Sequence, residues 1–298
     1  MKIFITGGTG FVGTALSKFL LEHGHEVTVI ARHQSSRLPA QIKQIASDAT
    51  KAGPWQEEAG RSDVLINLAG VTIFHRWSEQ YKKLVREGRL NITRNLVDAI
   101  AADASSRVTL VSTSGVGYYG FCGDEELTEA SPPGTDFMAT LAKDWEAEAI
   151  RARDKGVRVV ITRFGVVLGR GGGALGQMTL PFKLFVGGPL GSGKQWFSWI
   201  HVEDLCRASL FVIENQKISG PVNFTAPGPV RNADLAGTIG HVLHRPSFFP
   251  APGFMIQLVM GELGSIVLEG QRVIPQVLRE NGFEFKHPRI EDALRASL

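Results

Sequence analysis

A glycine-rich turn near the amino terminus limits the fold of this 298-residue sequence more than any other feature. The pattern Gly7-x-x-Gly10-x-x-Gly13 follows an apolar, strand-like run, Lys2–Thr6, and opens a segment, Phe11–Glu22, whose apolar residues have helical spacing. Glycine permits the tight turn, lets a ligand approach the backbone and lets the helix pack on the strand. The free N–H groups and partial positive charge of a helix N-terminus favour an anion. The sequence therefore predicts a turn that binds dinucleotide phosphates, with a glycine turn that has no ligand as the alternative.

Strand-like and helix-like segments alternate through the first half of the chain. The further predicted strands are Glu26–Ala31, Asp63–Leu68, Val108–Ser112 and Val157–Arg163, and the further predicted helices cover about Glu79–Ile100 and Thr135–Lys155. Repeated strand–helix units favour a parallel sheet, because its crossover connections place helices on both faces. The predicted fold is α/β, a doubly wound parallel sheet of the Rossmann type.

This alternation breaks after Leu168. Nine glycines lie between Gly169 and Gly193, which indicates a long mobile or ligand-facing loop. Residues 196–213 have the pattern of a strand followed by a helix, and the chain after Asn223 is mostly helical with proline breaks. We therefore expect a dinucleotide-binding domain over residues 1–168, rejoined by about 196–222. A smaller, mostly helical substrate or lid domain would cover 169–195 and 223–298.

Composition narrows the classes of partner. The formal net charge is +3 and no long run of Lys or Arg occurs, which argues against nucleic acid. Cys122 and Cys206 lack metal-ligand spacing and fit a reducing compartment, so we expect no metal and, without a secretory leader pattern, a cytoplasmic location. Two prolines and Glu262 interrupt the apolar stretch Phe248–Leu268, which indicates buried helices and no membrane partner. The expected partner is a small-molecule substrate, and the oligomeric state stays open.

The end of the second predicted strand bears on the choice of dinucleotide. An NAD enzyme usually has Asp or Glu there to bind the adenine ribose, whereas this chain has Ala31-Arg32-His33. Arg32, with Arg37 nearby, can pair with a 2′-phosphate that an acid would repel. The prediction is NADP(H), with a solvated surface arginine as the alternative.

Several short motifs resemble those of the extended short-chain dehydrogenases. They are the opening glycine turn, Asn67–Gly70, the strand end Ser112–Ser114 with Tyr118-Tyr119-Gly120, and Trp199–Leu205. Two further segments, Gly165–Gly169 and Leu268–Pro275, resemble the "epimerase family" branch, whose members are described as sugar-nucleotide epimerases or cell-division inhibitors. The resemblance covers nearly the whole chain, but its motifs do not define a substrate.

The resemblance implies a set of cofactor-binding residues in the first domain. They are Gly7, Thr9, Gly10, Phe11, Val12, Gly13, Ala31, Arg32, Leu68, Ala69, Gly70, Arg89 and Val166. For Arg89, on the long predicted helix, a solvated helix face is the alternative. The resemblance also implies that the second domain closes over the nicotinamide.

The chain departs from the family at the residue that transfers the proton. The family places a Tyr, the general acid and base, four residues before a Lys that binds the cofactor ribose and lowers the Tyr pKa. Lys143 lies where that Lys is expected, but the residue four positions earlier is Ala139. The usual phenol is therefore missing.

Four residues remain catalytic candidates, each with an ordinary structural alternative. Ser114 can hold a substrate oxygen or cap the backbone at its strand end. Lys143 can bind ribose or form a surface pair on its helix. Tyr118 or Tyr119 can supply the missing acid or simply line a pocket.

Two functions follow from this set of residues. The first is an NADP(H)-dependent oxidoreductase or epimerase that acts on a small polar or sugar-nucleotide-like substrate. The second is a regulatory protein that has lost its chemistry and senses NADPH. The missing Tyr favours the second, whereas Lys143 and Ser114 favour the first.

Overall fold

The computed structural model describes residues 1–101 and 108–298. Its strands are β1 Lys2–Thr6, β2 Glu26–Ala31, β3 Lys43–Ala46, β4 Val64–Asn67, β5 Thr109–Gly115, β6 Glu126–Leu127, β7 Arg158–Phe164, β8 Val166–Leu168, β9 Trp196–Phe197, β10 Trp199–His201, β11 Gly220–Phe224, β12 Val230–Arg231 and β13 Arg272–Val273. Its α-helices are α1 Phe11–Glu22, α2 Trp55–Gly60, α3 Glu79–Asp98, α4 Phe137–Ile150, α5 Leu175–Lys183, α6 Val202–Glu214, α7 Asn232–Leu243, α8 Gly253–Met260, α9 Glu262–Leu268, α10 Gln276–Glu280 and α11 Ile290–Ser297. Strands and helices alternate through the first half, as the sequence predicts.

Seven parallel strands form the central sheet, in the order β11–β7–β5–β4–β1–β2–β3. Apolar β-branched runs build these strands, and alternate side chains enter opposite cores. Ile5, Val29 and Ile66 belong to one core, whereas Phe4 and Leu65 belong to the other, together with residues of α3 and α4. Burial on both faces is what parallel sheets require. The doubly wound fold is therefore confirmed.

The strand order reverses between β1 and β4, which lie side by side at the middle of the sheet. The chain runs from β1 outward to β2 and β3, then returns to the other side of β1 with β4. Loops that leave neighbouring strands in opposite directions open a crevice at their carboxyl ends. The turn at Gly7 and the segment Leu68–Gly70 therefore meet at this crevice.

The chain returns to the sheet after a long excursion. Strand β11 pairs in parallel with β7 at the edge, from Gly220 against Val160 to Phe224 against Phe164. Three small two-stranded sheets pair β10 with β8, β12 with β9 and β13 with β6, and the last of them ties the C-terminal segment to the first half of the chain. Helices α5, α7 and α11 surround a separate core that includes Phe182, Trp199 and Leu235.

Two sequence-based expectations about the second half are wrong. The glycine-rich segment after Leu168 is not one long loop, because Leu175, Thr179 and Phe182 present a buried face and form helix α5. The stretch Phe248–Leu268 is not buried throughout, because Ile256 is the one buried residue of helix α8, whereas Leu263 and Gly264 of α9 are buried as expected. Within residues 1–101 and 108–298, none of the helices combines the length and the apolar character that crossing a bilayer demands.

Candidate functional site

The glycine turn has close backbone contacts at two of its three glycines. Gly7 has φ +74°, and a Cβ there would lie 2.8 Å from the Ala69 nitrogen and the Leu68 carbonyl carbon. A Cβ at Gly13 would lie 2.5 Å from the Gly8 Cα, so glycine lets α1 pack on the turn. A Cβ at Gly10 would meet only the Gly7 oxygen, at 3.3 Å. The space beside Gly10 is therefore open, whereas Gly7 and Gly13 are required by packing.

Helix α1 begins at this open space. Gly10 is its N-cap and offers no side chain, so no side-chain oxygen caps the helix. The N–H groups of Phe11, Val12 and Gly13 lie in the first turn, where a helix has no internal acceptors. These donors and the helix dipole make the position suitable for a phosphate.

Two arginines lie beside the turn at the end of β2. Arg37 Nη2 donates to the Thr9 carbonyl oxygen at 2.7 Å, and both Arg37 and Arg32 are exposed. Ala31, the last residue of β2, is half-buried. Arg32 acts on one carboxylate, that of Asp48, whose pKa is held below its usual value mainly by hydrogen bonds from Thr50 and also by Arg32. Cations therefore flank the outer end of the crevice, as the sequence predicts, with one carboxylate behind them.

Arg89 lies at the opposite end of the turn. A Cβ added to Gly70 would be 3.3 Å from its guanidinium carbon, so Arg89 covers the end of β4. Its Nη1 donates to the Val85 carbonyl at 3.1 Å, and its guanidinium lies 5.2 Å from the Trp145 ring centroid. Burial lowers the Arg89 pKa to about 10. No ion pair joins Arg89 to a carboxylate in the described parts of the chain, so this half-buried cation is available to an anionic ligand.

A buried polar network fixes the elements below the crevice. Thr6 Oγ1 donates to Asn67 Oδ1 at 2.7 Å, and Asn67 Nδ2 donates to Thr93 Oγ1 at 2.8 Å and to Ser112 Oγ at 3.3 Å. Trp145 Nε1 also donates to Thr93 Oγ1, at 2.8 Å. Strands β1, β4 and β5 are thereby joined to α3 and α4. Thr93 in turn donates to the Arg89 carbonyl at 2.8 Å, which holds the turn of α3 that carries Arg89.

Ser114 lies near the carboxyl end of β5, in line with Arg163 of β7. Its side chain is 3% exposed, and its Oγ has no hydrogen-bond partner in the described structure. A buried hydroxyl without a partner is uncommon and needs an explanation. A substrate oxygen at the sheet edge would supply the missing partner, and the backbone-capping alternative has no matching contact.

The two tyrosines after β5 differ in their availability. The Tyr119 hydroxyl donates to Asn223 Oδ1 at 2.7 Å and accepts from Arg163 Nη1 at 3.0 Å, and burial raises its pKa to about 12. The Tyr118 ring lies flat against Arg163, 3.5 Å from the guanidinium carbon, and is half-buried. Arg163 is itself held by the Glu146 carboxylate through two hydrogen bonds of 2.8 Å. The Tyr119 hydroxyl is therefore part of a buried hydrogen-bonded cluster with Arg163, whereas Tyr118 packs on that cluster through its ring only.

Lys143 lies at the edge of the buried face of helix α4. Leu141, Ala142, Trp145 and Glu146 form its buried face, whereas Lys143 is exposed. Ala139 is fully buried at the start of the same helix. A tyrosine at that position would need more room than the surrounding packing leaves, so helix α4 offers no phenol there, and the ribose-binding role of Lys143 stays a prediction. The spacing of four is the same, but the helix presents these positions to different surroundings.

The remaining candidates lie around the same crevice. Leu68, Ala69 and Val166 are half-buried, and the Val166 nitrogen donates to the Ser198 carbonyl at 2.9 Å. The Phe11 ring packs beneath the loop after β8, because a Cβ at Gly169 or Gly173 would lie 3.0 Å from it. That loop therefore covers the first turn of α1 and brings the second half of the chain to the crevice.

His201 has a structural role at the start of α6. Its Nδ1 accepts from the Glu203 nitrogen at 3.3 Å and caps α6. Its ring packs at a tilt of 52° against that of His287, with centroids 4.0 Å apart, and His287 Nε2 lies 3.1 Å from Glu203 Oε2. One potential ligand atom from each of these three residues falls within a 4.8 Å cluster, but Lys286 already neutralises the Glu203 carboxylate at 2.5 Å. These contacts fasten α6 to the C-terminal segment.

The sequence reading missed the buried residues that organise the site. Asn67 ends the apolar strand β4, Arg163 is the second-last residue of β7, and Glu146 lies on the buried face of α4. A charged or amide side chain inside an apolar strand requires a partner, because burying it alone is costly. That rule could have pointed to Arg163, although not to Glu146 as its partner.

The sheet, its switch point and the glycine turn define a Rossmann-type α/β protein. The chain belongs to the NAD dependent epimerase/dehydratase family, whose model matches residues 3–224. Residues 251–297 match a domain of unknown function, DUF1731. The family expected from the sequence motifs is thereby confirmed.

Three similar proteins support this placement. The chloroplastic epimerase family protein SDR39U1 homolog of Arabidopsis thaliana is 42% identical over 305 residues, which cover 99% of this chain and 86% of that protein. The epimerase family protein YfhF of Bacillus subtilis is 39% identical, over 99% of this chain and 97% of its own length. The crystal structure of human epimerase family protein SDR39U1, isoform 2, with NADPH is 38% identical and superposes with a TM-score of 0.88, over 99% of this chain and 98% of that one.

Proposed function

We propose that this chain is an NADP(H)-dependent oxidoreductase or epimerase for a small polar or sugar-nucleotide-like substrate. The proposal rests mainly on two groups, one on either side of the switch point: hydrogen-bond donors without a side-chain acceptor, and a cation without an anionic partner among the described residues. An uncapped helix N-terminus opens beside Gly10, and the guanidinium of Arg89 lies at Gly70 without a described carboxylate partner. Both groups favour phosphates. The similar human protein crystallised with NADPH supports this choice of dinucleotide.

The residues present fit a nicotinamide dinucleotide that carries a 2′-phosphate. The first turn of α1 would hold the pyrophosphate, and Arg32 and Arg37 would face the 2′-phosphate at the end of β2. Leu68, Ala69 and Val166 would line the rest of the crevice. When bound, the nicotinamide supplies hydride transfer.

Tyr118 is our candidate for the missing acid, and Ser114 for the group that orients the substrate oxygen. The Tyr118 hydroxyl makes no side-chain hydrogen bond in the described structure, whereas that of Tyr119 makes two. Arg163 lies against the Tyr118 ring and is fixed by Glu146. Ser114 would donate to or accept from the substrate oxygen at the end of β5.

A titration of Arg32→Ala tests the cofactor choice. We expect NADPH binding to weaken by about 1–3 kcal/mol, the range of a charged hydrogen-bonded contact, and NADH binding to change little. Arg37→Ala should act in the same direction. An equal loss for NADPH and NADH would show that neither arginine reads the 2′-phosphate.

Tyr118→Phe tests the chemistry on any carbonyl or sugar-nucleotide substrate that consumes NADPH. The variant keeps the ring on Arg163 and removes only the hydroxyl. We expect kcat to fall about 10²–10⁴-fold, the usual contribution of general acid catalysis, while NADPH affinity persists. Unchanged turnover in Tyr118→Phe would exclude Tyr118 as the acid.

The rival function, an NADPH sensor without chemistry, has one observation in its favour. Helix α4 offers no tyrosine to the crevice, because the residue four positions before Lys143 is the buried Ala139. Tight NADPH binding without consumption of NADPH across a broad panel of carbonyl compounds would support this function over catalysis.

A further inference from the structure

Helix α8 is apolar on every side and yet lies on the surface. Its sequence over Gly253–Met260 contains one polar side chain, Gln257, and one buried residue, Ile256. Leu258 and Val259 are 76% and 74% exposed, and Phe254 is 70% exposed. A helix that is hydrophobic all round is normally covered by protein or lipid. This surface therefore indicates a binding partner.

A second segment extends the same surface. The Phe249 nitrogen donates to the Gly187 carbonyl at 3.1 Å, and the Gly191 nitrogen donates to the Ala251 carbonyl at 2.8 Å. This pairing brings the end of α5 beside the start of α8. We call Leu184, Phe185, Phe248, Phe254, Leu258 and Val259 the apolar face, and each of these side chains is more than half exposed. Patches of this kind mark interaction sites.

The charge around the apolar face has one sign. Residues 155–202 and 235–261 contain no Asp or Glu, although the whole chain has 29. The Arg245 guanidinium lies 4.6 Å from the Phe185 ring centroid, and exposed Lys183 precedes Leu184. At the other end of α8, a Cβ on Gly261 would lie 3.6 Å from Arg76. The next carboxylate, Glu262, is paired with Lys82 at 2.6 Å.

We propose that the apolar face docks this protein on an anionic lipid surface. Aromatic and aliphatic side chains would enter the boundary between headgroups and acyl chains, while Lys183, Arg245 and Arg76 contact lipid phosphates. A second copy fits less well, because a two-fold interface would place the same cations opposite each other without carboxylates. The sequence alone indicates no membrane partner because it predicts this stretch to be buried. Its exposure in the structure changes that inference.

Flotation of the full-length protein with lipid vesicles tests the proposal. We expect binding to phosphatidylcholine vesicles that contain phosphatidylglycerol, weaker binding to phosphatidylcholine alone, and release by salt. Leu258→Glu should weaken binding at least about tenfold. It removes a leucine that would be buried in the lipid and adds a negative charge that anionic headgroups repel. Leu84→Glu is the matched control, because Leu84 is 51% exposed on α3 and lies outside the apolar face. Circular dichroism melting would verify that both variants fold.

Three results would overturn the proposal. One is the absence of binding to either vesicle. Another is equal loss of binding in Leu258→Glu and Leu84→Glu. The third is a dimer in light scattering that Leu258→Glu dissociates, because the apolar face would then join two copies. Charge reversal by Lys183→Glu with Arg245→Glu must also reduce binding to anionic vesicles, and unchanged binding would contradict the assigned cations.

Discussion

Single glycines in the turn have separable tasks. Gly13 lies where a Cβ would collide with Gly8, whereas the corresponding Cβ at Gly10 meets only one backbone oxygen at 3.3 Å. Gly13 therefore serves the fold, and Gly10 keeps a space open for the proposed pyrophosphate. The sequence pattern predicts the turn, but it does not show which glycine is needed for packing and which leaves space for a ligand.

The first prediction compares Gly10→Val with Gly13→Ala. We expect Gly10→Val to keep its melting temperature and lose NADPH binding, because the new side chain fills the open space. We expect Gly13→Ala to lose roughly 1–3 kcal/mol of unfolding free energy, the usual cost of overpacking. Denaturant unfolding and an NADPH titration measure the two effects. If Gly10→Val binds NADPH normally, the turn does not hold the phosphates.

At the scale of single elements, the sequence predicts the bounds of a helix or strand best where the spacing of apolar residues alone determines its type. Helix α1 and strands β1 and β2 have their predicted bounds, because the period of their apolar residues is unambiguous. Helix α5 escapes the prediction because the glycines around it suggest a loop, although Leu175, Thr179 and Phe182 have helical spacing. The role of Lys143 stays a prediction for a different reason, since spacing along a chain does not specify which helix face meets the sheet.

His201, the N-cap of α6, makes the free energy of unfolding of the protein depend on pH. Burial lowers the pKa of His201 to about 4, from a usual value of 6.5, and the neighbouring His287 adds to the shift. His201 is therefore neutral in the folded protein but takes up a proton more readily when unfolded. Stability from this group is complete above pH of about 6.5 and declines as the pH falls toward 4. At pH 5 the expected loss is about 2 kcal/mol.

His201→Asn is the second prediction and isolates this contribution. Asparagine is also a good N-cap, but it does not titrate. We expect the variant to lose less unfolding free energy between pH 7 and pH 5 than the parent protein, as measured by urea unfolding. His33→Asn is the control: it changes an exposed histidine and should leave the loss of unfolding free energy between pH 7 and pH 5 the same as in the parent protein. Identical pH profiles for His201→Asn and the parent would show that His201 does not govern the loss.

At the scale of the whole molecule, buried polar contacts join distant segments. Asp204, which is fully buried, accepts from the nitrogens of Lys286 and His287 at 2.7 and 2.8 Å. Asn223 Nδ2 donates to the Ile274 carbonyl at 3.0 Å. The sequence shows that such residues are polar and lie in apolar surroundings. It cannot show their partners, because these contacts span 51 or more residues of chain.

The third prediction concerns the whole chain as a ligand-binding unit. If NADPH binds only the folded protein, a concentration about one hundred times its Kd adds about 2.7 kcal/mol of stability. We expect the melting temperature in scanning fluorimetry to rise by about 5 °C or more with NADPH, and less with NADH. Gly10→Val should show no rise. A shift of equal size in parent and variant would place the NADPH site elsewhere.

The last strand of the central sheet has a consequence for synthesis on the ribosome. Strand β11 pairs with β7, yet 55 residues separate the end of β7 at Phe164 from the start of β11 at Gly220. Until those residues emerge, the nascent chain exposes β7 as an unprotected edge, and exposed strand edges promote association with other chains. The later half of the chain is thus needed to close the first half. We therefore expect chaperones to bind most strongly to a nascent chain stalled before Gly220.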